Sequence, residues 1–312
     1  MPSLRVHYDY KNITDGRGCV LAIGNFDGVH RGHRQLLDHA RGIAMREGRP
    51  FGVMTFEPHP REFFQPSAPP FRLSLLPMKQ RLMADIGVEH LFALPFTHEL
   101  SQLTGDEFIQ NVLASGLNVH HVVVGEDFEF GRGRSGNTSL LRAATSFATT
   151  VVPIIRCAGM EPYSSTRIRA ALEKADLKTV AELLGWPWEM EAPVVHGDKR
   201  GRTIGYPTAN QKVDRYARLP FGIYAVRVMI EGETEWRHGA ANFGIRPMFK
   251  IESPILETFI FDFSSEIYDK SVRVRSVQRL RGEMNFDGLP ALQAQMEQDC
   301  LAARAVLKSS AI

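Results

Sequence analysis

The sequence predicts two modules: an N-terminal α/β domain built on a parallel sheet, and a C-terminal small antiparallel β-barrel with one closing helix. Up to about residue 186, short β-forming runs alternate with amphipathic helical stretches, which is typical of a parallel sheet with crossover helices. Beyond that point helical periodicity nearly disappears, and strands follow one another with turn residues between them. The predicted domains are therefore 1–186 and 187–312.

β-rich runs mark the strands of the first module. Two amphipathic stretches lie between them, at 33–47 and at 104–114, and Thr104 is the expected N-cap of the second. The runs are VLAI at 20–23, FGVMTF at 51–56, HLFAL at 90–94, HVVVG at 121–125 and VVPII at 151–155.

The second module has longer strand patterns and a single amphipathic helix, from Leu289 to about Leu307. A small antiparallel barrel closed by that helix accounts for the pattern. The strand runs are FGIYAVRVMI at 221–230, ANFGI at 241–245, LETFIFDF at 256–263 and SVRVRSVQRL at 271–280.

Composition excludes several classes of protein. The net charge of +2 gives no overall field that would draw the chain to nucleic acid or to an acidic membrane, so neither is an expected partner. Cys19, Cys157 and Cys300 are far apart, which excludes a disulfide framework and a zinc site built from cysteines. The N-terminus has no apolar signal region, and cytoplasmic localisation is predicted. The oligomeric state stays open.

A strand, a glycine turn and a helix start follow one another in VLAIGNFDGVHRGHRQLLDH, at 20–39. Such a turn places helix N-terminal amides where they can bind phosphate. His30 and His33 lie on one face of the first helical turn, and Gly32 between them lets a ligand approach the backbone closely. A histidine pair alone is more often structural. In this context the pair is predicted to donate hydrogen bonds to the α-phosphate of a nucleotide.

Two further segments have the chemistry of phosphate binding. YSSTRIR at 163–169 offers three hydroxyl donors and an arginine at a helix start, although SST also serves as a helix N-cap. GDKRGRTIGYPTAN at 197–210 interleaves glycines with basic residues, which suits a polyphosphate. If that segment ended at Gly205, a solvated basic hairpin would be the better interpretation.

These motifs identify a family resemblance. GNFDGVHRGH resembles the nucleotidyltransferase motif of the bacterial bifunctional riboflavin kinase/FAD synthetases, and YSSTRIR resembles their second motif. PTAN at 207–210 resembles the signature of riboflavin kinases. The motifs occur in the family's order over nearly the full chain. The resemblance implies a Rossmann-like nucleotidyltransferase domain followed by a riboflavin kinase domain.

The resemblance also implies the reactions. The kinase would phosphorylate riboflavin to FMN, and the synthetase would adenylylate FMN to FAD with release of pyrophosphate. ATP is the implied co-substrate of both steps, Mg²⁺ is the implied metal, and the implied partners are riboflavin, FMN, FAD, ATP and ADP. A phosphate monoester is already largely ionised at pH 7, so adenylyl transfer needs positioning and charge neutralisation rather than a general base.

For the synthetase, the resemblance implies His30, His33 and Arg169 as catalytic residues. TFEPHP at 55–60 and VGEDFEFG at 124–131 also match the family, and His59 and Asp127 are the candidates there for the nucleotide and flavin pocket. The implied ATP-binding residues are Gly24, Asn25, Phe26, Asp27, Gly32, Ser164, Ser165 and Thr166.

For the kinase, Glu257 stands where the family has its catalytic glutamate, and it would accept the proton of the ribityl 5′-hydroxyl. Thr208 and Asn210 offer hard oxygen ligands to magnesium, and Arg281 and Phe286 are expected to border the flavin. The implied ATP-binding residues are Gly197, Lys199, Gly201, Gly205 and Pro207.

The kinase module departs from the family pattern at Met248, Thr258 and Asp269, where threonine, histidine and glycine are common. These departures keep open a different class of protein, a flavin-binding sensor or carrier that has lost the kinase activity. An adenylyltransferase for another phosphorylated precursor, such as phosphopantetheine, is also open, because HxGH does not specify the acceptor. The second module favours the flavin enzyme.

Overall fold

A computed structural model describes residues 3–157, 161–197, 204–245 and 254–309. Its contacts divide the chain into two compact units, one formed by 1–69 with 76–165 and the other by 70–75 with 166–312. The predicted fold class is confirmed, since the first unit has a parallel sheet with helices and the second a closed antiparallel barrel.

In the described part of the first unit, the main sheet has six parallel strands in the order β1-β4-β3-β2-β5-β8. A separate two-stranded ribbon pairs β6 with β7. The strands are β1 (Arg5–His7), β2 (Val20–Ile23), β3 (Phe51–Glu57), β4 (His90–Pro95), β5 (His121–Gly125), β6 (Glu129–Phe130), β7 (Gly136–Asn137) and β8 (Ala148–Val152).

Helices connect these strands. A 3-10 turn, Arg132–Arg134, separates β6 from β7. The helices are α1 (Arg31–Glu47), α2 (Pro60–Phe64), α3 (Leu76–Ile86), α4 (His98–Gln102), α5 (Gly105–Glu107), which continues as a π-helix (Phe108–Gly116), and α6 (Thr138–Ala143).

The core of the first unit follows the sequence pattern. All four residues of β2 are buried, as expected for a central parallel strand covered on both faces. The apolar positions predicted for the helix at 33–47 are the buried face of α1. Thr104 caps α5 as predicted, because its hydroxyl accepts the Glu107 amide at 3.2 Å in a capping box.

One strand was predicted in the wrong place. The apolar run at 151–155 suggested a strand there, but β8 covers Ala148–Val152. Pro153 has no amide hydrogen to donate to a neighbouring strand, so the ladder ends before it. Ile154 is consequently 37% exposed.

In the described part of the second unit, six antiparallel strands close in the order β10-β13-β12-β11-β14-β9. The closing helix was predicted, but β9 and β10 were not, because Pro193 interrupts the β-forming pattern of EMEAPVV and the five residues TANQK are mostly polar. The elements are α7 (Ser165–Leu172), which begins where the first unit ends, α8 (Leu177–Leu184), β9 (Glu189–Val195), β10 (Thr208–Lys212), β11 (Gly222–Ile230), β12 (Arg237–Ile245), β13 (Pro254–Ile260), β14 (Ser271–Arg281) and α9 (Leu289–Ser309).

Among the described residues, no helix combines the length and the hydrophobicity that a membrane span requires.

Candidate active sites

The turn after β2 brings the two predicted phosphate motifs together. The Ser165 hydroxyl donates to the Asp27 carbonyl at 2.8 Å, and a Cβ placed on Gly32 would lie 3.2 Å from the Tyr163 Cβ. The turn is also tied to β3, because the Gly24 amide donates to the Met54 carbonyl at 3.1 Å. Residues about 140 positions apart in sequence therefore line one site.

The backbone of this turn is strained. Phe26 has φ of 47° and Val29 has φ of 41°, and both side chains are buried. Positive φ is unusual for any residue except glycine and is especially unfavourable for β-branched valine. Such strain persists where the surrounding structure enforces it, and it concentrates at ligand-binding sites.

His30 and His33 form a stacked pair at the start of α1. Their ring centroids are 3.6 Å apart, with an interplanar angle of 16°. His30 caps the helix: its Nδ1 accepts the His33 amide at 3.2 Å, which leaves the ring proton on Nε2. The pair lies where the helix dipole and the first amides favour an anion.

Burial favours the neutral form of His33. Burial, with smaller contributions from His30 and Lys79, holds the pKa of His33 well below its ordinary value. Its Nδ1 is buried and has no hydrogen-bond partner among the described residues. A polar atom buried in this way is costly unless a ligand or water satisfies it, so the ring is suited to bind one.

Lys79 is a site residue that the sequence interpretation missed. Its side chain is fully buried, and Nζ donates to the Asn25 carbonyl and the Thr55 hydroxyl, each at 3.0 Å, and to Glu57 Oε1 at 3.2 Å. It thus joins the GNFDG turn to the TFEPHP segment and places a positive charge beneath the site. The sequence did contain a signal, because helical spacing places Lys79 among the apolar residues that form the buried face of α3. A lysine buried in this way needs hydrogen-bond or charge partners.

An aromatic cluster was also missed. Phe56, Phe63, Phe64 and Phe96 pack with ring centroids 5.2 to 5.8 Å apart. Phe64 is 63% exposed. The cluster lies at the carboxyl ends of β3 and β4, the sheet edge at which α/β folds bind ligands.

The other predicted residues of the first site have local roles. His59 caps α2, because its Nδ1 accepts the Arg61 amide at 3.0 Å while Glu62 accepts the His59 amide. Asp127 is exposed in the turn after β5.

In the second unit, Arg169 Nε donates to the Phe71 carbonyl at 2.7 Å and its guanidinium lies 5.1 Å from the Phe71 ring centroid. Ser164 is half-buried, and Thr166 is exposed.

In the barrel, strand register aligns three polar residues. Glu257 on β13 pairs with Asn210 on β10 and with Asn242 on β12. Directly paired residues on adjacent strands share a face, so the carboxylate lies between two carboxamides. Asn242 was not predicted as a site residue, although the NxG of ANFGI was a possible signal.

Gly197 lies very close to the side chain of Asn210. A Cβ placed on Gly197 would lie 2.7 Å from Asn210 Nδ2, so a larger residue there would displace the Asn210 carboxamide. Asn210 Nδ2 donates to the Thr208 carbonyl at 3.1 Å, which fixes the orientation of the carboxamide. Gly205 has φ of 86° in the preceding turn. The predicted residues Lys199 and Gly201 lie outside the described residues, and Pro207 directly precedes β10.

Arg281 joins the closing helix to the barrel. Its Nη2 donates to Asp299 Oδ2 at 2.7 Å and its Nε to Oδ1 at 2.9 Å, and Asp299 is buried. The Arg281 guanidinium lies 5.7 Å from the Phe286 ring centroid. This ion pair stabilises the packing of the closing helix against the barrel.

Two of the three departures from the family pattern, Thr258 and Asp269, lie in the described part of the structure. Thr258 is fully buried and alternates with Glu257, so its side chain faces the barrel interior and lies on the other face of β13. Asp269 has φ of 62°, a left-handed conformation that glycine adopts freely and aspartate tolerates. Met248 lies outside the described residues.

Family models match both units. A FAD synthetase model matches residues 12–167, and a riboflavin kinase model matches residues 184–307. The chain is 40% identical over 300 residues to the bifunctional riboflavin kinase/FMN adenylyltransferase of Pseudomonas fluorescens, covering 95% of each chain. It is 40% identical over 290 residues to that of Escherichia coli (strain K12), covering 92% of each, and 34% identical over 287 residues to that of Bacillus subtilis (strain 168), covering 90% of each.

A solved structure has the same fold over the whole chain. It is described as a macrolide-efflux protein from Streptococcus pneumoniae, and it superposes with a TM-score of 0.83 at 31% identity, covering 99% of this chain and 100% of that one. The predicted family resemblance is thereby confirmed by sequence and consistent with the fold. The chain belongs to the bifunctional riboflavin kinase/FMN adenylyltransferase family.

Proposed function

We propose that the α/β unit adenylylates FMN to FAD and that the barrel phosphorylates riboflavin to FMN, each with its own ATP. The observation that carries the proposal is that each unit holds a separate polar site suited to one of these reactions. The first has two histidines at a helix start beside a buried lysine, and the second has a carboxylate between two carboxamides.

In adenylyl transfer, the FMN phosphate attacks the α-phosphorus of ATP and pyrophosphate leaves. The nucleophile is already ionised, so the protein has to position it and to stabilise developing charge. We assign hydrogen-bond donation to the amides of α1 and to His30 and His33, and assign to Lys79 a fixed positive charge beneath the turn. Ser165 holds the Asp27 carbonyl and so keeps the turn in place.

YSSTRIR at 163–169 stays the predicted triphosphate motif. Its predicted donors are the hydroxyls of Ser164 and Thr166 and the guanidinium of Arg169. Hydroxyl and guanidinium groups are strong donors to phosphate oxygens.

The aromatic cluster offers a flat apolar surface for the flavin ring. Exposed Phe64 and its neighbours can stack on an isoalloxazine, as aromatic rings do in offset or edge-to-face arrangements. His59 caps the short helix that carries Phe63 and Phe64, so it acts as a positioning residue for them. Asp127 stays a predicted pocket residue.

In the kinase, Glu257 accepts the proton of the ribityl 5′-hydroxyl as that oxygen attacks the γ-phosphorus of ATP. The hydroxyl of Thr208 and the amide oxygen of Asn210 are hard donors that fit Mg²⁺, and a side chain larger than that of Gly197 would displace the Asn210 carboxamide. When bound, Mg²⁺ neutralises charge on the phosphates of ATP. Gly205 and Pro207 shape the loop that is assigned to those phosphates.

Arg281 and Phe286 are assigned to the flavin side of the barrel. Because the guanidinium is held by Asp299 in the middle of the closing helix, Arg281 acts there as a positioning residue for Phe286.

Replacing Glu257 by glutamine tests the assigned base. Glutamine keeps the size of the side chain but cannot accept the proton, so riboflavin phosphorylation is expected to fall by about 10²- to 10⁴-fold in kcat. FAD formation from added FMN should stay unchanged. Glu235→Gln, at an exposed carboxylate of the same unit, is the matched control. Near-normal kinase turnover in Glu257→Gln would show that the assigned role is wrong.

Incubating the purified protein with riboflavin, ATP and Mg²⁺, and separating the flavins over time, tests the whole proposal. FMN is expected to appear first and then to give way to FAD. Conversion of added FMN alone would favour a barrel that binds flavin without phosphorylating it, the sensor or carrier class. No conversion of either flavin would favour another acceptor.

A further inference from the structure

We propose that His7, Asp15 and His90 form a binding site for Zn²⁺ at the outer edge of the parallel sheet. One ligand atom from each residue lies within 4.8 Å of the others. The two histidines are 83 positions apart in sequence and form no recognisable motif, so only the pairing of β1 with β4 brings them together. Neither proposed active site uses these residues.

The two imidazoles already have the spacing of zinc ligands. His7 Nε2 and His90 Nδ1 are 3.0 Å apart. Two nitrogens bound tetrahedrally at about 2.0–2.1 Å from zinc lie about 3.3 Å from each other, so a small adjustment would admit the ion. Packing holds both rings, because the His7 ring stacks on His90 at 5.3 Å and on Phe92 at 4.9 Å between centroids.

The third ligand, Asp15, lies in a loop that approaches the imidazoles closely at Gly16. A Cβ placed on Gly16 would lie 2.7 Å from His90 Nδ1, and Gly16 has φ of +84°, so a larger residue is excluded on both counts. This approach places Asp15 beside the imidazoles. The Asp15 side chain is 47% exposed, so water can complete a tetrahedral set of two nitrogens, one carboxylate oxygen and one solvent oxygen.

Arg5 competes with the metal. Its Nη1 lies 2.6 Å from Asp15 Oδ2 and its Nη2 lies 3.4 Å from His90 Nε2. Because arginine only donates, His90 Nε2 accepts and His90 Nδ1 carries the proton that it donates to His7 Nε2. On zinc binding, that proton moves to His90 Nε2 by exchange with solvent, and the two nitrogens coordinate the ion. Arg5 is half-exposed, so its guanidinium can move into water.

The donor set selects the metal. Imidazole and carboxylate ligands suit zinc and its first-row neighbours, whereas Mg²⁺ and Ca²⁺ prefer sites built from oxygen alone. Bound zinc would tie β1, which has three residues and pairs with β4 alone in the described sheet, to β4 and to the Asp15 loop.

Equilibrium dialysis of the full chain against Zn²⁺, without nucleotide or flavin, tests the proposal. One zinc ion per chain is expected, and His7→Gln and Asp15→Asn should each weaken binding by at least about 10-fold. Arg5→Gln should strengthen it, because it removes the competing cation. His39→Gln, at an exposed histidine of α1, is the matched control and should bind zinc as the unmodified chain does.

Thermal unfolding gives a second readout. Zinc should raise the unfolding temperature of the unmodified chain and of His39→Gln, but not that of His7→Gln. His7 and Asp15 are partly exposed, and unfolding without zinc verifies that their variants fold. Absence of bound zinc, or zinc binding that His7→Gln and Asp15→Asn leave unchanged, would overturn the proposal. Weaker binding in Arg5→Gln would also overturn it.

Discussion

Replacing His33 by alanine is expected to lower FAD formation from FMN by about 10²-fold or more, which is typical for loss of one pre-positioned hydrogen-bond donor in a transition state. The loss should be in kcat, because the imidazole is held against His30 at the start of α1, where the proposed reaction would develop charge on the α-phosphate. Phosphorylation of riboflavin should continue, so FMN would accumulate. Flavin chromatography over time measures both steps at once.

His39→Ala is the matched control, because His39 is exposed on the same helix and its Nδ1 contacts the Gln35 carbonyl at 2.9 Å. It should form FAD at the normal rate.

The converse variant is Asn210→Ala, which should stop FMN formation while added FMN is still converted to FAD. Lys212→Ala, at an exposed position of the same strand, controls for disturbance of β10. Parallel loss of both activities in either variant would contradict two independent sites.

Lys79→Met is expected to impair FAD formation severely and to destabilise the first unit by about 3–5 kcal/mol, the usual cost of removing one partner of a buried ion pair. Lys79 is fully buried and Glu57 is 16% exposed, so water cannot replace the lost charge easily. Methionine keeps an unbranched apolar stem but lacks the terminal ammonium group, so the main effect comes from the loss of that group. Urea unfolding measures the stability, and steady-state kinetics measure the two activities.

The double variant Lys79→Met with Glu57→Gln separates structure from catalysis. Removing the partner charge should restore much of the stability, because no unpaired carboxylate stays buried. FAD formation should remain low, with the loss in kcat, if the ammonium group positions the Asn25 carbonyl and supplies charge to the site. Full recovery of FAD formation together with stability would show that Lys79 has only a structural role.

Much of both sites could be predicted from local sequence. The glycine turn, the histidine pair and PTAN are contiguous segments, and their chemistry depends on short-range geometry at a helix start or a strand end. The predicted strands at 20–23 and 121–125 match β2 and β5, because central parallel strands are continuous apolar runs.

Residues whose role depends on distant contacts could not be predicted. Asn242 becomes a neighbour of Glu257 only through the register of β12 on β13. Helical spacing places Lys79 among apolar residues, but its partners become visible only when α3 packs against β3. From the sequence, Asp269 differs from the family in the chemistry of its side chain. Its φ of 62° shows that the requirement at this position is a left-handed backbone conformation.

The fold class, the order of the two modules and the family motifs follow from the sequence alone, because periodicity and contiguous motifs encode information within a few residues. Which charges and rings meet depends on the tertiary structure. It joined Ser165 to Asp27, Lys79 to Glu57, and His7 to His90. These contacts depend on strand order and helix packing. Burial of the whole core selects that arrangement, and no local sequence pattern specifies it.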